Sequence, residues 1–419
     1  MMIPILITLC SLLLIAYLFD LTSSFTKIPS VLLLLLLGWI VREVAQLLEI
    51  NVPDLTNLLP FLGTLGLILI VLEGSLELEF DSTKTRLIKK SFLVALLPMV
   101  ALAFLLAFLF SYFQHASFKQ SLTNSIPFCV ISSAVAISSS KNFSPGDREF
   151  IIYESSLSDI LGVLFFNFIA RNSVINFQSA GQFTLQLLLI AVISLIATIG
   201  LSYLLSKIEH QIKFVPIILL VILIYAISEI YHLPALIFIL LFGLFLGNLD
   251  ELSQFRWIQV LRPRELDKEV RKFKELTIEA TFLIRALFFL LFGYLMKRTE
   301  ILNPATIIWA AAIVFMVFAF RGIVLKLLKL PLAPLLFVAP RGLITILLFL
   351  AIVPADKIPF VNTSLVIQVI ILTALTMMVG SMLSGRGVLA AKKKLDIESE
   401  LVKDTPALGA EWRPTDVHP

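Results

Sequence analysis

Apolar stretches of helical length alternate with short polar connections along nearly the whole chain. A run of about 17 to 25 predominantly apolar residues is long enough to cross a bilayer as an α-helix. The pattern predicts an all-α polytopic membrane protein with about 13 transmembrane helices. The spans cover approximately residues 2–19, 28–48, 58–77, 91–112, 121–140, 148–170, 182–205, 214–230, 234–249, 277–296, 303–325, 331–353 and 362–384.

The composition agrees with this pattern. The hydrophobic share of 59% and the charged share of 15% exclude a soluble globular domain, as does a mean hydropathy of +0.99. Both cysteines, Cys10 and Cys129, lie inside apolar runs, which leaves neither a disulfide framework nor a zinc site with paired Cys and His ligands. We therefore expect no cofactor.

Basic residues alternate between the two sides of the predicted membrane. Of the 33 Lys and Arg residues, 24 follow odd-numbered spans or lie in the C-terminal tail, 6 follow even-numbered spans, and 3 lie within spans. Cytoplasmic loops carry an excess of Lys and Arg. The sequence therefore predicts an external N-terminus and a cytoplasmic C-terminus. We also expect the protein to be an integral protein of a bacterial inner (plasma) membrane.

The order of the spans suggests a domain organisation. We expect a transmembrane domain over residues 1–384, with one repeat at about 1–170, a linking helix at about 182–205 and a second repeat at about 214–384. Residues 385–419 form a short cytoplasmic polar tail. The mixed-charge connection 250–276 is amphipathic, and we expect it to lie along the inner surface.

One carboxylate stands near the middle of an apolar stretch. Asp159 lies within residues 150–170, where burial in the bilayer costs about 2.5–3.5 kcal/mol and usually marks an ion or proton pathway. On a helix, Ser155 shares the face of Asp159, and Ser158 precedes it directly. Glu154 points about 140° away, toward a different environment. Asp159 can thus bind a monovalent cation or a proton while Glu154 pairs with a buried arginine; the alternative is that both belong to static ion pairs.

Two spans carry interruptions. The fifth contains Pro127 and a serine-rich centre that includes Ser132 and Ser133, and the twelfth contains three prolines before Arg341. Paired interrupted segments in two halves point to a transporter site at the bilayer midplane. The sequence predicts two inverted-topology six-helix repeats with broken fifth and twelfth helices, although the prolines and serines could also merely kink ordinary helices.

Other charges lie in the spans. Glu73, in the third span, either reaches the site or lies near the interface, and the sequence leaves both open. Arg285 and Arg341 are the available cationic partners for Glu154, Glu73 or Asp159, since arginine stays protonated and needs an acceptor. Arg321 lies deep in the eleventh span and is assigned no role.

Four short motifs occur in order along the chain: residues 65–78, the run from Glu154 to Asp159, Phe288-Phe289 with Gly293, and Arg341-Gly342. In that order they resemble the LGL…FExGLEL pattern, the Glu-Ser-Leu-Leu-Asn-Asp signature, the FFxxxG helix and the late Arg-Gly of the monovalent cation/proton antiporters of the sodium/proton exchanger type (NhaP-like). The similarity covers nearly the whole chain in order.

The resemblance implies a thirteen-helix fold with a dimerisation domain and a mobile core domain, crossed broken helices 5 and 12, and exchange of a cation for protons at Asp159. It also implies that Glu154 pairs with Arg341. Two positions depart from the family pattern. Ser158 replaces the Asn or Asp before the key aspartate, which favours one-for-one exchange, and Ser132-Ser133-Ala134 stands where Thr-Asp-Pro is usual.

The expected function is therefore a secondary active transporter, not an enzyme, that exchanges Na⁺ or K⁺ for H⁺ by alternating access. The proposed site comprises Asp159, Ser158, Ser155, Ser132 and Ser133, where cation and proton compete. The expected partners are these ions, the lipid bilayer and a second copy of the chain, with no nucleic acid. Two alternatives remain: a cation channel, and a membrane-embedded enzyme that acts on a lipid-linked substrate.

Overall fold

The structure is a computed structural model, and it describes residues 2–26, 28–50, 54–78, 84–140, 143–172, 177–207, 214–231, 233, 235–252 and 263–403. Within these ranges the chain is all-α, with no strand. The helices are α1 (Met2–Thr26), α2 (Ser30–Leu47), α3 (Leu58–Glu77), α4 (Thr85–Gln114), α5 (Phe118–Ser125), α6 (Ser133–Ser139), α7 (Pro145–Arg171), α8 (Phe177–Lys207), α9 (Phe214–Ile230), α10 (Leu236–Gly247), α11 (Leu249–Leu252), α12 (Pro263–Leu295), α13 (Arg298–Ile301), α14 (Pro304–Leu327), α15 (Leu343–Ala351) and α16 (Thr363–Lys403).

Each predicted span coincides with a helix or a broken helix. By length and apolarity alone, nine helical stretches in the described ranges can cross a membrane, and α9 and α10 are shorter apolar helices. The polytopic all-α fold is therefore confirmed, while the count of thirteen crossings stays a prediction.

The fifth and twelfth spans are broken. After α5, a 3₁₀ turn (Ile126–Phe128) leads into a non-helical stretch before α6, and a 3₁₀ turn (Leu335–Phe337) precedes a non-helical stretch before α15. Proline lacks a backbone N–H and clashes with the preceding turn. Pro127 lies in the first of these turns, and Pro340 lies in the second non-helical stretch.

Two helices extend further than expected. Residues 263–276 of the connection 250–276 do not form a separate surface segment, because α12 runs without interruption for 33 residues from Pro263; residues 253–262 lie outside the described part. Leu266, Val270 and Phe273 are buried, so the apolar stripe extends at helical spacing N-terminal to the predicted span 277–296. Similarly, α16 continues to Lys403, so the tail expected from residue 385 begins as helix, and residues 404–419 lie outside the described part.

The helices pack in two groups. In one group α2 and α3 pack on α12, and α10 packs on α3 and α8; in the other α4 packs on α5, α7 and α14, and α14 packs on α16. The groups meet where α3 contacts both α7 and α15. The two breaks lie in the second group, close to this boundary.

Candidate functional site

The two breaks touch each other directly. The Ser132 N–H, in the first break, donates to the Pro340 carbonyl oxygen in the second at 2.9 Å. Broken helices leave backbone groups without intrahelical partners, and at bilayer depth such groups must be satisfied by protein or water. Here one backbone N–H of the first break is satisfied by a carbonyl of the second, and this hydrogen bond holds the two segments where they cross.

Arg341 joins the crossing through backbone oxygens. Its guanidinium donates to the carbonyls of Phe128 (2.8 Å), Cys129 (3.2 Å) and Ala339 (2.8 Å), and its N–H donates to Thr373 Oγ1 at 3.1 Å. The side chain is buried. Carbonyls at the C-terminal end of a helix carry partial negative charge. The arginine therefore places a positive charge at the end of the first helical half.

Asp159 lies against the other side of the first break. Its side chain, in α7, is 2% exposed. Oδ2 accepts hydrogen bonds from the Ser133 hydroxyl and from the Ser133 N–H, the latter at 3.3 Å, and Ser133 is the first residue of α6. Oδ1 is buried without a hydrogen-bond partner among the described residues. One carboxylate oxygen is thus positioned by the protein, and the other is left for a further ligand.

The neighbouring serines have different roles. Ser158 Oγ accepts a hydrogen bond from the Ile131 N–H at 2.9 Å, which ties α7 to the break. The Ser155 hydroxyl donates to the Ile151 carbonyl one turn earlier in α7 at 2.7 Å, which leaves its oxygen lone pairs. Ser132 contributes the backbone bond to the second break.

The predicted partner of Glu154 is wrong. Glu154 does not pair with Arg341 but with Arg321, in α14: both carboxylate oxygens accept from the guanidinium, with Nη2 and Oε2 at 2.8 Å. Arg321 Nε also donates to the Leu335 carbonyl at 2.8 Å. The reason is geometric, because Arg341 is already bound by carbonyls of the breaks and α14 presents Arg321 on its buried face.

Glu73 and Arg285 do not belong to the crossing itself. They line a cavity of about 380 Å³ that also reaches Ser133, and Arg285 interacts electrostatically with the Glu73 carboxylate. The cavity is bounded by the ends of α1, α3 and α6, the start of α7 and the first half of the membrane part of α12. Its wall therefore ends at the serine that binds Asp159.

A second cavity, of about 430 Å³, lies toward the opposite ends of α3, α12 and α15. Between the two cavities these helices are tightly packed. Phe288 and Leu343 are completely buried, and a Cβ on Gly66 would lie 3.3 Å from Leu343 Cδ1. In this conformation an apolar layer separates the two cavities along α3.

The structure thus brings Asp159, Ser158, Ser132, Ser133 and Arg341 together, with Ser155 one turn away on α7. Apart from the Arg341 nitrogens, their side-chain polar atoms are carboxylate and hydroxyl oxygens, and carbonyl oxygens of the breaks lie beside them; such oxygens suit an alkali cation or a proton. Arg321 is the residue that sequence reasoning missed. Its burial in an otherwise apolar span was the available signal, but nothing in the pattern identified its partner.

The comparisons with known proteins agree with this geometry. The family model described as "Sodium/hydrogen exchanger, transmembrane" matches residues 10–385. A structure of the sodium proton antiporter MjNhaP1 from Methanocaldococcus jannaschii at pH 8 is similar with a TM-score of 0.67 at 19% identity, and covers 92% of this chain and 97% of its own. An electron-microscopy structure of MjNhaP1 gives 0.66 at 18% identity, with 99% and 100% covered. No curated protein matches the sequence significantly. Since the family model covers most of the chain, the protein belongs to the sodium/hydrogen exchanger family, whose members are transporters rather than enzymes.

Proposed function

We propose that this chain exchanges a monovalent cation, Na⁺ or K⁺, for H⁺ by alternating access, with Asp159 as the carboxylate that both ions share. The observation that carries the proposal is the half-satisfied Asp159 side chain: Oδ2 accepts hydrogen bonds from Ser133, and Oδ1 is buried with no hydrogen-bond partner in the part of the chain that the structure describes. A buried charge without a partner is strongly unfavourable. A cation or a proton at Oδ1 removes that penalty.

Competition follows from the number of carboxylates. Ser158 and Ser133 occupy positions beside Asp159 where a second acid would add another negative charge, and Glu154 is already neutralised by Arg321. Two positive ions at one carboxylate repel each other. Cation and proton therefore exclude each other, and a gradient of either drives the other.

The separation of the two cavities favours alternating access rather than a continuous channel. The cavity that reaches Ser133 is separated from the opposite cavity by the layer of Phe288 and Leu343. By the distribution of basic residues, the ends of α1, α3 and α6 face the cytoplasm. We therefore interpret the conformation as inward-facing. The proposed unit is a homodimer in the inner membrane.

The test is cation-driven proton movement in sealed vesicles. Proteoliposomes that contain the purified protein and a pH-sensitive dye receive Na⁺, K⁺ or Li⁺. Asp159→Asn keeps the size of the side chain and removes its negative charge, so we expect exchange to fall to the level of empty liposomes. Asp267→Asn is the matched control, because Asp267 pairs with Arg271 near the surface of α12 and touches neither cavity.

The variants also need a folding check, so thermal unfolding in detergent is measured for each. Normal cation-dependent proton flux in folded Asp159→Asn would contradict the shared-carboxylate mechanism. Cation flux without proton movement in the unaltered protein would instead favour a channel. Comparison of the three cations gives the selectivity.

A further inference from the structure

An arginine, Arg148, lines the cavity that ends at Ser133. Four carboxylates line it, as expected for a route taken by cations, but so does Arg148, close to the start of α7. Arg285, the other basic residue in the wall, interacts with Glu73. The lining carboxylates are Asp20, Glu73, Glu77 and Glu279.

Arg148 is aligned with the proposed site. It lies seven residues before Ser155 and eleven before Asp159 in one continuous helix. At 100° per residue these three side chains fall within about 20° of one face of α7, and Arg148 is about 16 Å from Asp159 along the axis. A cation that approaches Asp159 through the cavity passes this guanidinium first.

The guanidinium of Arg148 has no direct counter-ion in the described part of the chain. Among the described residues Arg148 takes part in no ion pair. The next carboxylate on α7, Glu149, is bound by Lys84 at 2.7 Å. Asp147 accepts the Ser144 hydroxyl at 2.6 Å as part of the N-terminal cap, and it does not line the cavity. The positive charge therefore acts on the cavity itself.

We infer that Arg148 lowers the occupancy of the cavity by cations and so sets the half-saturating cation concentration at this face. The inference rests on the proposed exchange function. The acidic wall attracts cations, and the fixed positive charge of Arg148, an exposed residue in the lining of the same cavity, opposes them. Because arginine stays protonated, this opposition does not change with pH. Without Arg148, the same carboxylates would concentrate cations at the site more strongly.

The alternative is that Arg148 only anchors the start of α7 at the membrane surface as one of many basic loop residues. The two possibilities differ in kinetics. An anchor affects the amount of inserted protein, whereas a charge in the cavity affects the cation concentration at half-maximal rate. The latter effect must also weaken as ionic strength rises, because exposed charges are screened.

The experiment measures Na⁺-dependent proton flux in everted and right-side-out membrane vesicles at low ionic strength, and again with choline chloride added. For Arg148→Gln we expect the half-saturating Na⁺ concentration to fall by about three- to tenfold in one vesicle orientation only, the everted one, with the maximal rate within about twofold. Added choline chloride should reduce the difference. Arg148→Lys should behave like the unaltered protein.

Arg271→Gln is the matched control, since it removes the same charge from an exposed position on α12 that does not line the cavity. Provided that the unaltered protein exchanges ions, three outcomes would overturn the inference. These are an unchanged half-saturating Na⁺ concentration in Arg148→Gln, an equal shift in Arg271→Gln, and a shift that added salt does not reduce. Absence of exchange in the unaltered protein would instead overturn the proposed function, and the inference with it.

Discussion

Arg321 is buried and held by three hydrogen bonds. Both Glu154 oxygens and the Leu335 carbonyl accept from its guanidinium, and Arg321 is 1% exposed. The pair joins α7 to α14, and Leu335 lies in the turn before the second break. It therefore holds the helix that carries Asp159 against the twelfth span.

Substitution of either Glu154 or Arg321 should destabilise the protein strongly, and the two effects on stability should not add. Removal of one member of a buried ion pair leaves an unpaired charge and costs about 3–5 kcal/mol. We expect Glu154→Gln and Arg321→Gln each to lower the thermal unfolding temperature in detergent clearly, and the double variant to lose less than the sum. The exposed pair Asp267 and Arg271 is the control, with an expected coupling of about 0–1 kcal/mol. Additive losses at Glu154 and Arg321 would show that the pair does not contribute as a unit.

At this scale the sequence was informative about which residues are buried but not about which ones meet. Asp159 and Glu154 stand out because an intramembrane carboxylate is rare. Three arginines lie within spans, so the sequence offered more than one partner for Glu154. Because α14 is apolar on most of its surface, periodicity did not indicate which face of α14 turns toward α7. The pairing with Arg321 depends on tertiary packing.

At the scale of helices, apolar run length predicted the positions of the spans well, and the prolines and serines predicted both breaks. The sequence did not predict how far α12 and α16 continue past the apolar runs, because a polar helix and a polar loop have similar composition. It also gave no signal for the close contact between α2 and α12. There Gly38 and Gly293 allow the two backbones to approach each other.

A methyl group at Gly293 should separate these helices. Its Cβ would lie 2.9 Å from Leu35 Cα and 3.0 Å from the Leu35 carbonyl carbon, and backbone atoms cannot turn aside. We expect Gly293→Ala to destabilise the protein by about 1–3 kcal/mol, seen as a lower thermal unfolding temperature. Gly200→Ala in α8 is the control, because no described residue outside its own stretch of helix lies within 4 Å of the added Cβ, and alanine favours a helix. Equal stability of the two variants would contradict the close packing of α2 and α12.

At the scale of the whole molecule, the predicted orientation can be measured directly. Arg271 lies on the extension of α12 and Lys357 lies in the exposed loop after α15, at opposite ends of the molecule. In a Cys10→Ser background, we expect an impermeant maleimide to label Arg271→Cys only in everted vesicles and Lys357→Cys only in right-side-out vesicles. Cys129 is buried and should stay unlabelled. The opposite pattern would invert the predicted topology and the inward-facing interpretation.

Ser132 donates a hydrogen bond to Pro340, and the Arg341 guanidinium donates to carbonyls of both breaks. These bonds join the two broken helices into one rigid unit. Under the proposed exchange, Asp159 and Arg341 therefore move together between the inward-facing and outward-facing states. Their charges sum to zero when the carrier is empty and to one positive charge when either ion is bound. Membrane voltage then acts equally on the two loaded half-cycles, so it alters the speed of each half without driving a net one-for-one turnover.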